Sequence, residues 1–337
     1  MHIIEEINVR HMVVHILDNQ LTVPVLSMDE VPSSMDVKTF FSTHILKTVN
    51  DDALKTCAFS EEDNAFMTAL LDYKEERKSF VDFSKEIAGQ LFSIMATHTM
   101  IPACDLAVIH FNLMTKPHIA LLKLDYQSTF THFTDYESNQ NINTIMEYKT
   151  TLPGLKQKVS EAVTIRLEDF QVRVLEKKHE LDGQLDYYIS QLYLKCGTNL
   201  SSKDQMKIVQ QTTDHISKKF FENNPDKQVE IKQNLYEALE ETGKIDLEKF
   251  IDQTFPDREE IKDVFMDKLE KKGLEKPVVQ LEEKTITRNF VKQKVKTDNG
   301  IEIKIPVELY NDPNTMEFTT APNGKINIVL KNIGKIL

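Results

Sequence analysis

The segment LAVIHFNLM-TKP-HIALLKLDY, residues 106–126, contains two apolar runs separated by Thr115, Lys116 and Pro117. Each run has the length of a β-strand, and a short break that contains proline is typical of a turn between strands. The segment therefore predicts a β-hairpin, and it is the strongest hairpin signal in the chain.

The sequence on either side of this hairpin gives further strand signals. Residues 7–25 place apolar positions before and after an Asp18-Asn19 turn, which predicts an N-terminal hairpin. Residues 142–148 and 162–175 predict further strands, and in the second range V-T-I-R-L and F-Q-V-R-V alternate with a period of two. That alternation predicts strands with one face exposed to solvent.

Apolar residues spaced three and four positions apart predict three helices in the first half of the chain. The first covers residues 36–48, and the third runs from Ser79 to Thr97 with a single buried face. The second is predicted to begin at Ser60, because S-E-E-D resembles a capping box.

The second half of the chain changes character twice. Residues 200–276 have a charged, helical pattern, and residues 277–337 return to short β segments separated by turn signals. These turn signals are Asp298-Asn299-Gly300, Asn311-Asp312-Pro313-Asn314 and Asn323-Gly324. We predict an α+β fold with an N-terminal mixed antiparallel sheet and helices at residues 1–195, a charged helical module at 196–276 and a small antiparallel β domain at 277–337.

The charge of the chain is negative and unevenly distributed. It has 337 residues and a formal net charge of −12, from 41 lysines and arginines against 53 acids. Basic against acidic residues number 3 to 6 in residues 1–50, 8 to 15 in 51–150, 21 to 25 in 151–276 and 9 to 7 in 277–337. A protein that coats nucleic acid over its whole surface is normally basic, so this composition leaves only the C-terminal segment for such contact.

Cysteine content and hydropathy indicate the compartment. Cys57, Cys104 and Cys196 are widely spaced and form no C-x-x-C motif, which disfavours a disulfide scaffold or a zinc site and favours a reducing compartment. Cys104 has no base close to it in sequence, as expected for a small buried residue. Because there is no secretion signal and no apolar stretch of about 18 to 20 residues, we expect a cytoplasmic protein without a membrane partner.

Catalytic and metal-binding signals are weak. The sequence lacks G-x-x-x-x-G-K, G-x-G-x-x-G, G-x-S-x-G and H-E-x-x-H. Asp105, His110 and His118 flank the central hairpin and would permit an acid–base site, while His11 and His15 have the i,i+4 spacing of a metal pair. Packed strand histidines and hydrogen-bonded aspartates are the more frequent explanation of both patterns. We predict no enzymatic activity, no metal site and no cofactor.

One basic stripe stands out in the C-terminal segment. Residues four apart in this stripe lie on one side of either a strand or a helix, so their spacing does not decide between these two secondary structures. The stripe would contact phosphates without reading base sequence, although a solvated surface is the simpler interpretation of the residues alone. The candidate DNA-binding residues are Lys284, Arg288, Lys292, Lys294, Lys296 and Lys304.

The arrangement of segments along the whole chain resembles that of the bacterial nucleoid-associated proteins of the NdpA type. The resemblance is carried by the strand that ends in HILD at residue 18, FVDFSKEIA at 80–88, AVIHF at 107–111, IALLKL at 119–124 and GIEIKIPVELYND at 300–312. It implies a cytoplasmic protein of the bacterial nucleoid that is presumed to bind DNA and has no established enzymatic activity. It supplies no catalytic residues and no fixed DNA-contact motif.

Two functional hypotheses follow. The first is a non-enzymatic nucleoid-associated protein that binds chromosomal DNA non-specifically through the local basic stripe. The alternative is an acidic adaptor that reaches the nucleoid through a DNA-bound protein partner, with the helical module as its docking surface. Either protein could be a homodimer, because exposed sheet edges and amphipathic helices are common sources of symmetric contacts.

Overall fold

The structure is a computed structural model that describes residues 7–59, 64–136, 142–222, 224–242, 244–274, 278–280, 292–296, 298–306, 309, 312, 314–321 and 326–334. The chain folds into two compact units, Met1–Ser201 and Ser202–Leu337. The finer division of the sequence at residues 195 and 276 stays a prediction.

The first unit combines helices with an antiparallel sheet. Its helices are α1 (Met35–Val49), α2 (Ala65–Lys74), α3 (Phe80–Thr97) and a single π-helical turn at Ile189–Tyr193. Its strands are β1 (Ile7–Leu17), β2 (Lys55–Phe59), β3 (Cys104–Leu113), β4 (Lys116–Asp125), β5 (Gln127–Asp135), β6 (Ile142–Thr151), β7 (Glu161–Arg166), β8 (Val172–Leu175), β9 (His179–Leu181), β10 (Gln184–Asp186) and β11 (Cys196–Thr198). Seven strands form one antiparallel sheet in the order β1-β3-β4-β7-β8-β2-β11, so the predicted α+β class is confirmed.

The predicted central hairpin is present as β3 and β4. The two strands pair over ten positions, from Cys104 opposite Asp125 to Leu113 opposite Lys116. Met114 takes a left-handed φ of 56° in the two-residue connection, as the tightest hairpin turns require. Both strands then pair outward, β3 with β1 and β4 with β7, which places the hairpin inside the sheet.

Helices cover both faces of this sheet. On one face Ala107, Ile109 and Phe111 of β3 lie in the same buried cluster as Phe41 and Ile45 of α1. These β3 positions alternate with those that face the other side, as in any strand. The long apolar runs of β3 and β4 are therefore explained by burial on both faces rather than on one.

The opposite face packs against α2 and α3. Leu106 and Val108 of β3 share a buried cluster with Phe83, Ile87 and Leu91 of α3. The predicted helix at 79–97 is confirmed, and the Ser79 hydroxyl accepts a hydrogen bond from the backbone N–H of Asp82 at its N-terminus. The first unit thus has three layers, with a sheet between two helical layers.

The predicted N-terminal hairpin is wrong. β1 pairs with β3 along the strand, from Ile7 opposite Leu113 to Leu17 opposite Cys104. The segment after Asp18 makes a single bridge, Ile16 to Val25. Pairing with β3 occupies one edge of β1; on the other edge residues 18–24 form turns and include Pro24, which has no N–H to donate, so no return strand forms.

The predicted solvent face of residues 162–175 is also incorrect for β7. Every residue from Glu161 to Ile165 is buried, including the polar Thr164. The alternation in sequence is real, but both sheet faces are covered by protein, so polar side chains in β7 face the interior.

The second helix begins later than the capping-box pattern predicted. α2 starts at Ala65, and the Asn64 side chain accepts a hydrogen bond from the backbone N–H of Met67. Asparagine is as effective as serine in this role, so the later residue provides the cap. The S-E-E-D sequence at residues 60–63 lies outside the described residues.

Strands β5 and β6 form a separate two-stranded sheet, here called the arm and defined as Gln127–Asp135 and Ile142–Thr151. The β6 strand was predicted from its apolar residues. The partner strand was not, because QSTFTHFTD is rich in threonine and polar residues and has no regular apolar alternation.

The second unit contains four helices and six strands among its described residues. The helices are α4 (Ser202–Phe221), α5 (Pro225–Thr242), α6 (Leu247–Thr254) and α7 (Glu259–Glu270), and the strands are β12 (Lys244–Asp246), β13 (Val278–Gln280), β14 (Lys292–Lys296), β15 (Glu302–Pro306), β16 (Met316–Thr320) and β17 (Ile326–Leu330). α4 packs against α5 and α7, and the Phe250 and Phe265 rings lie 6.1 Å apart. The predicted helical and β segments are both present.

A buried histidine joins three segments of the first unit. The backbone N–H of Ser27 donates to His15 Nδ1 at 3.0 Å, so Nε2 carries the proton and donates to Ser84 Oγ at 3.0 Å. Burial, with the nearby positive charge of Lys85, lowers the pKa of His15 to about 4. The side chain is therefore neutral at pH 7.

We predict that protein stability falls between pH 6.5 and pH 4, in part because His15 takes up a proton in the unfolded chain but not in the folded one. Its contribution is complete above its unfolded pKa and declines as the pH falls towards 4. Through His15 the free energy of unfolding should change with pH by up to about 1.4 kcal/mol per pH unit, which corresponds to the uptake of one proton. The His15→Gln variant should lose this part of the slope. Urea unfolding at several pH values measures the slope. The matched control is His11→Gln on the same strand, where the side chain is 46% exposed, and equal slopes for both variants would contradict the assignment.

Candidate nucleic-acid interface

Strands β14 and β15 bring four candidate residues into one small sheet. Their antiparallel register sets Lys292 opposite Pro306, Lys294 opposite Lys304 and Lys296 opposite Glu302. Residues 292–296 are thus a strand, which resolves the strand-or-helix alternative for that part of the basic stripe. The pairing of position 294 with position 304 could not be derived from spacing along the sequence.

Alternation along the two strands separates lysine positions from apolar ones. Lys292, Lys294, Lys296 and Lys304 occupy one face by register, and this set is here called the lysine ribbon. On the other face Ile303 is half-buried and Ile305 is buried. Glu302 shares the lysine face and is exposed. The register therefore places the four lysine positions and Glu302 on the face opposite Ile303 and Ile305, with four lysines against one glutamate.

The loop between the two strands follows the predicted turn chemistry. Gly300 has a φ of +89°, a conformation that residues with a Cβ rarely adopt. The Asp298 carboxylate accepts a hydrogen bond from the backbone N–H of Asn299 at 2.9 Å. This local turn fixes the register that sets Lys294 opposite Lys304.

The remaining two candidates of the stripe, Lys284 and Arg288, lie outside the described residues. Their place beside the ribbon stays a prediction. The role of all six basic residues in DNA contact likewise stays a prediction.

The acid–base candidates of the central hairpin do not converge. Asp105 is at one end of β3 and accepts a hydrogen bond from the Tyr126 hydroxyl at 2.7 Å, whereas His118 lies about six residues, or about 20 Å, away along the hairpin. His110 lies opposite Ile119 and hydrogen-bonds Tyr73 at 2.6 Å. His110 and His118 occupy adjacent register positions and so opposite faces of the sheet. The three side chains cannot serve one reacting group.

The other sequence candidates for chemistry also have separate structural partners. His11 Nδ1 bonds Glu30 at 2.9 Å, whereas His15 bonds Ser27 and Ser84, so the i,i+4 histidines form no shared site. Burial raises the pKa of the Cys104 thiol to about 12, which keeps it protonated and unreactive. Among the described residues no group of three or more histidines, cysteines or acids is placed to hold a metal ion.

Several buried charged groups of the first unit form a structural network. Lys123 of β4 is opposite Glu161 of β7, and its ammonium lies 3.2 Å from the carboxylate, with Asp125 as a second partner. Glu161 also bonds His179 at 3.0 Å and accepts from the Tyr188 hydroxyl at 3.1 Å. Burial alone would raise the pKa of Glu161, but the hydrogen bond with His179 and the charge of Lys123 outweigh it and leave that pKa below its ordinary value.

This network is enclosed rather than open to a ligand. Only 3% of the Lys123 side chain is exposed, and Glu161 is fully buried. A small space next to it is lined by Leu91, Leu121 and Tyr188. Buried, mutually paired charges of this kind hold elements of the fold in place.

The comparisons with known proteins identify the class. A family model described as nucleoid-associated protein YejK matches residues 13–337, and so covers both units. The chain belongs to this family of nucleoid-associated proteins, as its layout predicted. No curated protein matches the sequence. Throughout the described ranges, every helix is too short or too polar to traverse a lipid bilayer.

We predict that Lys123→Met lowers the free energy of unfolding by about 3 to 5 kcal/mol, because it leaves Glu161 buried and without its cation. The double variant Lys123→Met/Glu161→Gln should recover much of that loss, and urea unfolding measures all three proteins. Lys271→Met is the matched control, since Lys271 pairs with Asp267 at an exposed position and its loss should change stability by about 0.5 kcal/mol or less. Equal losses for the two lysine variants would contradict a structural role for the buried pair.

Proposed function

We propose that the protein binds chromosomal DNA without sequence preference through the lysine ribbon, with Lys284 and Arg288 adding to the same positive surface. The observation that carries the proposal is the register of β14 and β15, which gathers four lysine positions on one face of a two-stranded sheet. Membership in the nucleoid-associated family supports DNA as the ligand.

The physical chemistry of the ribbon suits phosphate rather than base recognition. Lysine is a flexible point charge that attracts phosphate oxygens but does not match the edge pattern of one base pair. A two-stranded β-ribbon is narrow enough for the major groove of B-DNA, so groove width does not oppose contact. Binding of this type releases counterions and weakens steeply with salt.

The charge of the rest of the chain limits the extent of contact. The net charge is −12, whereas the ribbon face has four lysines and one glutamate, a local +3. Phosphates are attracted only near this face and are repelled by the acidic remainder. The protein would therefore attach to DNA only locally, and its acidic remainder opposes wrapping of DNA around the whole protein.

The adaptor alternative makes a different prediction for the purified protein. An adaptor held at the nucleoid by a protein partner would show no DNA retention at low salt, where electrostatic binding is strongest. Direct binding at low salt that disappears as salt is raised favours the ribbon. Nothing in the part of the chain that the structure describes specifically favours the adaptor.

We predict that a ribbon variant loses DNA affinity and salt dependence together. Each lysine–phosphate contact contributes about 0.9 to the slope of log K against log salt, so loss of four contacts reduces that slope by about 3 to 4. The measurement is fluorescence anisotropy with a labelled duplex over a salt series. The ribbon variant carries Lys292→Gln, Lys294→Gln, Lys296→Gln and Lys304→Gln.

A matched control separates local contact from overall charge. Four exposed lysines of the first unit are changed so that the net charge shifts by the same amount as in the ribbon variant. This control carries Lys38→Gln, Lys156→Gln, Lys177→Gln and Lys178→Gln. The ribbon assignment is abandoned if both variants show the same affinity and the same slope.

A further inference from the structure

The arm has an unusual surface for a sheet with no covering layer. Residues 128–133 of β5 and 142–150 of β6 are all exposed. At about 3.4 Å per residue each strand is about 30 Å long. Two-stranded sheets of this kind are marginally stable in water unless another surface packs on them.

Large apolar side chains occur on both faces of the arm. The register sets Phe130 opposite Glu147 and His132 opposite Ile145 on one face, and Phe133 lies on the other. Phe130 is 75% exposed and Ile145 is 70% exposed. The exposed apolar residues of the arm are Phe130, Phe133, Ile142, Ile145, Met146 and Tyr148.

The edges of the arm lack the usual protection. Each strand pairs only with the other in the described sheet, so β5 and β6 both retain a free edge. Proteins normally block such edges with proline, repeated lysines or a covering segment. Residues 127–151 contain no proline, no glycine and one lysine, Lys149. An apolar, open-edged strand pair of this composition requires a protein surface against it.

Charge excludes DNA as the molecule that covers the arm. Residues 127–151 contain Lys149 against Asp135, Glu137 and Glu147, a net charge of −2. Phosphate would be repelled, and the apolar residues would stay in water. A neutral or apolar protein surface is the chemistry that fits.

We propose that two copies of this chain associate through their arms, with each arm covering the other around a two-fold axis. In such an isologous contact the same surface of each chain serves as both partners, so equivalent apolar side chains of the two chains are covered at once. The six apolar side chains expose on the order of 600 Å² per chain, if a fully exposed large side chain offers about 200 Å². A standard interface takes about 800 Å² from each partner, of which only about 60% is apolar, so two arms that wrap around each other and use both faces supply enough apolar area for a stable dimer.

The dimer also changes the arm itself. Backbone N–H groups along the free edges are exposed to water in a single chain but become hydrogen-bonded or covered in the pair. Their hydrogen exchange should therefore slow as protein concentration rises through the dissociation constant. Exchange in the β3–β4 hairpin, which is buried within one chain, should not depend on concentration.

The first experiment measures molar mass by sedimentation equilibrium from about 1 µM to 100 µM, a range that spans the affinities typical of interfaces of this area. Wild-type protein should be dimeric at the upper end, and the arm variant Phe130→Lys/Ile145→Lys should be monomeric throughout. The matched control Met28→Lys/Met100→Lys replaces two other exposed apolar residues of the first unit with the same charge change and should remain dimeric. Circular dichroism and thermal unfolding of each variant confirm that the large sheet is intact.

Three outcomes would overturn the proposal. One is a wild-type protein that remains monomeric at 100 µM, and another is an arm variant that dimerises as strongly as wild type. The third is concentration-independent exchange in the arm. Loss of DNA binding by the arm variant with no change in molar mass would assign the arm to DNA instead. Because the ribbon variant leaves the arm unchanged, its mass and DNA affinity test the two proposals separately.

Discussion

The ten-position pairing of β3 with β4 determines where everything else in the first unit lies. Each strand has apolar residues on both faces, so each face must be covered, and α1 covers one while α2 and α3 cover the other. β1 and β7 then extend the sheet from the outer edges of the hairpin. The exposed arm follows directly after β4 in the chain and receives no helical cover, which distinguishes its surface from that of the large sheet.

Local sequence patterns predicted the helices and strands better than they predicted which strands pair with each other. The central hairpin and the helix at 79–97 could be found because apolar periodicity and a capping serine lie within one short segment. The predicted N-terminal hairpin was wrong because residues 18–24 form turns and include Pro24, while the long partner of β1 lies about 95 residues later, in β3, where no local signal reports it. β5 was missed because its threonines fit a pleated surface without forming an apolar stripe.

The candidate site shows the same division between local and distant information. Lys292 and Lys296 were recognisable as part of one stripe from their four-residue spacing alone, whereas the position of Lys294 on the same face and its pairing with Lys304 depend on the β14–β15 register. The hypothetical acid–base group failed for a geometric reason, since residues that flank one hairpin can lie at opposite ends or on opposite faces of it. Side chains that look clustered in sequence, such as His110 and His118, are separated by the alternation of the strand.

The Lys123–Glu161 pair also discriminates between alternative alignments of the sheet. Both residues are direct register partners on β4 and β7 and lie on the side of the sheet that carries α3. A slip of one residue would move Lys123 to the α1 side and leave two buried charges without partners. The apolar residues of HIALLKLDY could tolerate such a slip, because both faces of the sheet are apolar. A single lysine within an apolar strand therefore makes one register much less costly than the neighbouring registers, and the register of the sheet is encoded by charge as well as by hydrophobicity.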